Sequence, residues 1–225
     1  MSRDIYAAYA GAKAAWRHLE VVSANVANAN TQGYREQRVN FEAEEGVVRA
    51  GTGMYSTEDG ALVQDGVATH LALRGDAMFA LADGTSTRDG GFRLDTGGRL
   101  VTSGGTPVLT DRGPVTLAPG EQLIVDVDGT VSGSESGELG RLRLVRLGKG
   151  GGDTGTRIGG NRWAGASTVV TDTDVSVVQG ARESANVDPM RCMVELIEAS
   201  RAFEAQQKVM QTSDEARARL NRMQE

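Results

Sequence analysis

Cysteine, aromatic residues and long apolar runs are what this chain of 225 residues has least of, and each scarcity excludes something. A single cysteine, Cys192, rules out an internal disulfide; on a helical stretch it reads as a small apolar residue. Aromatics make up 4 % of the chain, and 30 glycines stand against 4 prolines. That balance points to a thin, turn-rich core rather than a large packed globule. No run approaches the ~18 apolar residues that span a bilayer. The opening "MSRDIYAAYAGAKAAW" has no uninterrupted apolar h-region, so it is not a Sec-type signal. Net charge is −6 with no basic tract, which leaves neither nucleic acid nor an anionic membrane surface an electrostatic footprint. By the ordinary export route alone, these absences read as cytoplasmic.

Catalytic and cofactor chemistry is equally thin. Of the two histidines, His18 falls in a helical stretch and His70 in a strand-like one. No G-x-S-x-G elbow supplies a nucleophile to either, and no His or Cys pair has metal-ligand spacing. "IVDVDGTVSGSE" places Asp126, Asp128, Gly129 and Glu135 where a calcium loop wants them. Its first position is Ile124, which has no ligand oxygen, so an Asp-Gly hairpin is the better reading. Gly150, Gly152 and Gly155 fit G-x-G-x-x-G, but "TRIGGNRWAG" follows where a dinucleotide site needs a helix. Neither an enzyme nor a cofactor is expected.

What is present is a partition. Residues 1–40 hold two glycines and residues 186–225 none; the other 28 lie in 41–185 with three of the four prolines. The expected fold class is therefore α+β: terminal helices at 1–40 and 186–225 forming a coiled-coil-like domain, and a mainly β domain over 41–185. In the first block Ile5, Ala8, Ala12, Ala15, Leu19, Val22, Val26 and Ala29 alternate spacings of three and four, a coiled-coil seam. A helix over 4–29 would be ~39 Å long. Its alanines would let a partner helix approach closely. The last block starts well for a helix, with Asp188 as cap and Pro189 in the first turn. Leu196, Ala199, Phe203, Met210 and Leu220 share a register that Gln206, Ser213 and Arg217 interrupt. A continuous helix there would reach ~50 Å. Such a long seam finds its partner either within the chain, as ordinary two-helix packing against the middle domain, or on another molecule.

The middle reads as strands and turns. "HLALRGDAMFAL" alternates on both sides of Gly75-Asp76, and Asp-Gly recurs at 59–60, 65–66, 83–84, 89–90 and 128–129 as hairpin signals. "RLRLVRL", Arg141 to Leu147, should show one face to a core and one to water. Residues 148–160, "GKGGGDTGTRIGG", read as a surface loop.

Three segments carry a resemblance. "SANVANANTQGYR" (Ser23 to Arg35), the centre "LALRGDAMFALADGTSTRDGGFRLDTGGRLVTSGGTPVL" and the end "GARESANVDPMRCMVELIEASRAFEAQQKVMQTSDE" are similar to the bacterial flagellar rod and hook proteins, in the right order and over most of the chain. Departures such as Ala185 before Asn186-Val187, and "GDAMF" in the centre, bear on subtype. With no long insertion in residues 42–60, the chain resembles the proximal-rod members most, with distal-rod and hook members as alternatives. The resemblance implies an axial subunit that polymerises helically with itself and with other rod subunits and transmits torque across the periplasm. It further implies export through the flagellar type III apparatus without a cleaved signal peptide, which overrides the cytoplasmic reading, and no insertion into a membrane. Candidate assembly residues are Ile5, Ala8, Ala12, Ala15, Leu19, Val22 and Val26 on the seam and Asn25, Asn28 and Asn30 at its end. Gly33 and Tyr34 at the turn out of it, and Asn186, Leu196, Phe203 and Met210 at the other terminus, complete the set. The three asparagines read either as groups bonding adjacent subunits or as a locally satisfied helix cap, and Gly33 as a positive-φ residue. A β-rich adhesin holding a ligand on loop 148–160, and a hydrolase using His70, are the readings from other classes.

Overall fold

A computed structural model describes residues 3–44, 47–147, 155–159, 161–165, 167–170 and 174–222. The chain is α+β: one helix at each end and a mainly β centre. It divides into two compact units. Unit 1 comprises residues 1–29, 36–56 and 187–225, and unit 2 residues 30–35 and 57–186.

Unit 1 is built on α1, Arg3–Ala27, and α2, Pro189–Arg222, about 38 Å and 51 Å long at the usual rise. Alanine-rich sequence favours α1. The Asp188-Pro189 start is realised: Asp188 Oδ1 accepts the N–H groups of Met190 and Arg191 at 3.0 and 3.2 Å, satisfying donors that a first turn leaves open. Between the helices in sequence lies a hairpin of β1, Gln37–Glu44, and β2, Val47–Tyr55, antiparallel with a bulge between Val39 and Phe41. Composition alone put residues 41–56 with the central β domain. The compact unit that holds the helices takes this hairpin in, because it packs on α1, with the His18 and Phe41 rings edge-on at 5.5 Å.

Unit 2 holds the apolar core, centred on Leu71, Leu73, Phe79, Leu81, Phe92, Leu100, Val108, Val131, Leu142 and Val177. Phe79 and Phe92 meet edge to face at 5.0 Å. A six-stranded sheet runs in the order 156–158, 162–164, 86–87, 78–80, 144–147, 167–169, with antiparallel neighbours. Beside it lie a three-stranded sheet, 123–125, 130–133 and 137–141, and several two-stranded pairs. The Asp-Gly turns at 83–84 and 128–129 close hairpins between consecutive strands, and the half-matched calcium loop is the second of these. The turns at 59–60, 65–66 and 89–90 do not. Leu62–Gln64 pairs instead with Ala181–Glu183, and Leu71–Arg74 with Ser176–Gln179. Leu71, Ala72 and Leu73 are all buried, so the alternation expected there gives way to a strand covered on both faces. Of the expected loop 148–160, residues 148–154 and 160 lie outside the described residues, while Thr156–Ile158 forms a strand paired with Arg162–Ala164.

Candidate assembly surface

Unit 1 has an inverted distribution of apolar side chains. Its buried ones are small: Ala12, Ala14, Val21, Val22, Val187, Cys192 and Ala199. Many of the large ones face outward, while Leu19, Leu196, Phe203 and Met210 are half-buried. Of sixteen exposed large apolar side chains among the described residues, ten belong to unit 1, the smaller of the two: Tyr9, Trp16, Phe41, Val48, Met54, Met190, Met193, Val194, Ile197 and Val209. A stand-alone domain does the reverse, since burying a Val, Ile, Phe or Met side chain is worth ~1.5–3 kcal/mol. An exposed apolar surface of this kind is a candidate for contact with a partner.

The two helices pack together within the chain, and the α1 seam faces α2. Ala12 and Val22 are buried, and Ala8, Ala15, Leu19 and Val26 are half-buried. Ile5 lies in α1, with its side chain outside the described ones. The Trp16 and Phe203 rings lie 5.4 Å apart, and a Cβ on Gly11 would sit 3.3 Å from Gln206 Oε1. Cys192, Leu196, Ala199, Phe203, Gln206, Met210 and Ser213 form the less exposed face of α2. Gln206 and Ser213, read from sequence as interruptions, sit on that face. Burial pushes the Cys192 thiol upward, further helped by Glu195 and Glu36, so it is a packed, inert residue.

Met190, Met193, Val194 and Ile197 occupy the opposite side of α2, within about 100° of arc at 3.6 residues per turn. The sequence reading missed them because it followed the other register. The signal was nevertheless present, since 190, 194 and 197 repeat the spacing of four and three. Arg191 joins this end of α2 to the start of the hairpin: it and Arg38 both donate to the Glu36 carboxylate, which is 5 % exposed. The Glu36 charge holds the Arg191 pKa above its ordinary value.

The asparagines divide. Asn25, 2 % exposed, exchanges two hydrogen bonds with the Gln37 main chain, donating to its carbonyl at 2.8 Å and accepting from its N–H at 3.0 Å. Asn28 donates back to the Ala24 carbonyl at 2.8 Å, closing the helix end. Both therefore have partners in their own chain, Asn28 at the helix end and Asn25 on β1. Asn30 is exposed. Gly33 has φ 63°, as the turn out of α1 requires, and a Cβ there would lie 2.6 Å from the Arg88 carbonyl. Tyr34 is buried in unit 2 beneath the Arg157 guanidinium, 4.0 Å from the ring centroid. Half-buried Asn186 donates its amide N–H to the Tyr34 carbonyl at 3.2 Å.

Among the described residues no group of three or more His, Cys, Asp and Glu side chains could hold a metal, and no helix is long and apolar enough to cross a membrane. The His70 ring lies 2.7 Å from Asp65, whose carboxylate also meets Arg182 at 2.7 Å. Hydrogen bonding from the Val67 N–H, with help from His70 and Arg182, holds the Asp65 pKa low, an arrangement that fixes a turn.

Two family models match the ends of the chain. The model described as flagella basal body rod protein covers residues 5–35, and that described as flagellar basal body rod FlgEFG protein C-terminal covers 178–223. The chain is 34 % identical to the flagellar basal-body rod protein FlgF of Mesorhizobium japonicum, over 96 % of this chain and 97 % of that one. It is 29 % identical to FlgF of Escherichia coli over 99 % and 98 %. To the flagellar basal-body rod protein FlgG of Borreliella burgdorferi it is 30 % identical over 95 % and 96 %. With both ends matched and the similarity running through the β centre between them, the chain belongs to the flagellar basal-body rod protein family.

Proposed function

We propose that the chain is a structural subunit of the flagellar basal-body rod, of the FlgF type, that polymerises through unit 1. The observation that carries this reading is the distribution in unit 1: its fully buried apolar side chains are alanine, valine and cysteine, while ten large ones, Met190, Met193, Val194 and Ile197 among them, are exposed. The two helices satisfy each other along their small-residue faces, and coiled-coil pairing there is part of the proposal. The outward stripe of α2 then meets neighbouring subunits, copies of this chain or other rod proteins. The role is mechanical, to carry torque, and needs no catalytic group or cofactor. Export through the flagellar type III apparatus without a cleaved signal peptide, and a place in the periplasmic part of the rod, belong to the same proposal. FlgG relatives stand at comparable identity, but the FlgF type is the favoured reading.

Replacing Val194 and Ile197 together by lysine tests the carrying observation. Both side chains are more than half exposed, so the purified variant keeps its fold and helical circular dichroism. In a rod each would forfeit ~1.5–3 kcal/mol of apolar burial and place a charge in the contact, and the strain carrying it does not swim. Wild-type swimming by that strain would refute the assignment.

A further inference from the structure

The chain enters unit 2 at Asn30, leaves it at Arg35, returns at Thr57 and leaves again at Asn186. The three stretches of chain at these ends, 33–35, 58–60 and 183–186, lie far apart in sequence, yet one charge cluster inside unit 2 reaches all three. Its centre is Arg88, whose side chain is fully buried. The guanidinium donates to the Leu73 and Gly75 carbonyls at 2.8 and 2.7 Å, to the Ala77 carbonyl, to Asp59 at 2.9 Å, and to the Glu183 carboxylate. Glu183, with its side chain 2 % exposed, also accepts the Gly60 N–H on its carboxylate at 2.9 Å and the Gly33 N–H on its backbone carbonyl at 2.8 Å. Arg35 donates to Asp59 at 3.1 Å and to the Glu58 carbonyl, and the Asn186 side chain donates to that same carbonyl at 2.9 Å.

We infer that Arg88 and Glu183 are positioning residues: together they clasp the three stretches of chain where unit 2 begins and ends in one place, and assembly depends on that clasp. The reason is economy of core. An apolar interior needs no buried guanidinium, and a buried ion pair is seldom more stabilising than apolar residues of the same volume. What the pair supplies is direction. The Arg88 donors, in a planar fork, and the Glu183 acceptors fix where three separate strands of chain stand relative to the core. The inference rests on the rod reading only for its second half, the dependence of assembly.

The test replaces the pair rather than half of it, since removing one partner would leave an uncompensated buried charge. Full-length protein carrying Arg88→Met with Glu183→Met is compared with wild type and with Arg112→Ala, Glu138→Ala, which removes an exposed pair. The expected result is amide exchange faster by about tenfold or more at Gly33, Gly60 and Asn186, with Leu100 and Val108 protected as before, and a strain that does not swim. Unchanged exchange at those amides overturns the clasp. Faster exchange with wild-type swimming overturns its role in assembly. Should the double variant not fold, Asp59→Ala decides: it removes the carboxylate that joins Arg88 to Arg35 and accepts the Gly75 N–H at 2.8 Å, and exchange at Gly75 must rise, unchanged exchange overturning the clasp. A strain lacking the gene altogether that still swims removes the rod reading, and with it the assembly half, independently of the exchange result.

Discussion

Replacing Asn25 by alanine should loosen unit 1 and leave unit 2 untouched. The side chain exchanges a donor and an acceptor with the main chain of Gln37, the first residue of β1, at 2.8 and 3.0 Å. It thereby ties the last turns of α1 to the start of the hairpin. Alanine removes both bonds, each worth ~1 kcal/mol net, and leaves a backbone N–H and carbonyl to find water, at ~1–3 kcal/mol each if buried. Gln37 is half-buried, so water recovers part of that, and the loss comes to about 2–4 kcal/mol. The two tryptophans report on the units separately: Trp16 lies in unit 1 and Trp163 in unit 2. Urea unfolding followed in Trp16→Phe and Trp163→Phe backgrounds reads each in turn. With a slope of about 2 kcal/mol per molar, the Trp16 midpoint should fall by about 1–2 M while the Trp163 midpoint holds. An unchanged Trp16 midpoint would show that the Asn25–Gln37 bonds contribute nothing, and an equal fall in both would show that the units do not unfold independently.

Gly33→Ala places a Cβ at φ 63° and 2.6 Å from the Arg88 carbonyl. Strain of about 1–3 kcal/mol from the dihedral alone should lower the unit 2 melting temperature, while a Gly84→Ala control, also at positive φ but with open space around its Cβ, costs less. The Glu121 carboxylate collects the Ser136 N–H and hydroxyl and the Glu135 N–H, which lower its pKa from 4.5 to about 2. Because the folded value lies below the unfolded one, the stabilisation is complete above about 4.5 and is lost as pH falls through about 2. Protection of the Glu135 and Ser136 amides, taken relative to their intrinsic exchange rates at each pH, should therefore fall across that window in wild type and be low throughout it in Glu121→Gln.

What the sequence made legible was local. The Asp188-Pro189 start of α2, the positive φ at Gly33 and the hairpins at Asp83-Gly84 and Asp128-Gly129 each depend on residues a few positions apart, and each is found in the structure. Asp59-Gly60 and Asp89-Gly90 have the same dipeptide and no hairpin. Asp59 is engaged by Arg35 and Arg88, and a Cβ on Gly90 would collide with the Leu71 carbonyl at 1.5 Å. Those partners come from distant sequence, as do the pairings of 62–64 with 181–183 and of 71–74 with 176–179. The α1 seam was legible as a stripe; its partner was not, because the facing side of α2 includes Gln206 and Ser213 and so looks broken when scored for apolar residues alone. Following that register also hid the outward stripe at Met190, Val194 and Ile197. The hairpin β1–β2 escaped because its turn has no Asn-Gly or Asp-Gly signature.

A density map of an assembled rod containing this chain, resolved to side chains, tests the central claim most directly. The account predicts that Met190, Met193, Val194 and Ile197, open to solvent in the single chain, are covered by a neighbouring subunit, with α1 and α2 still paired along Ala12, Cys192 and Ala199. A rod in which those four side chains remain in solvent, and neighbouring subunits touch only unit 2, would contradict it.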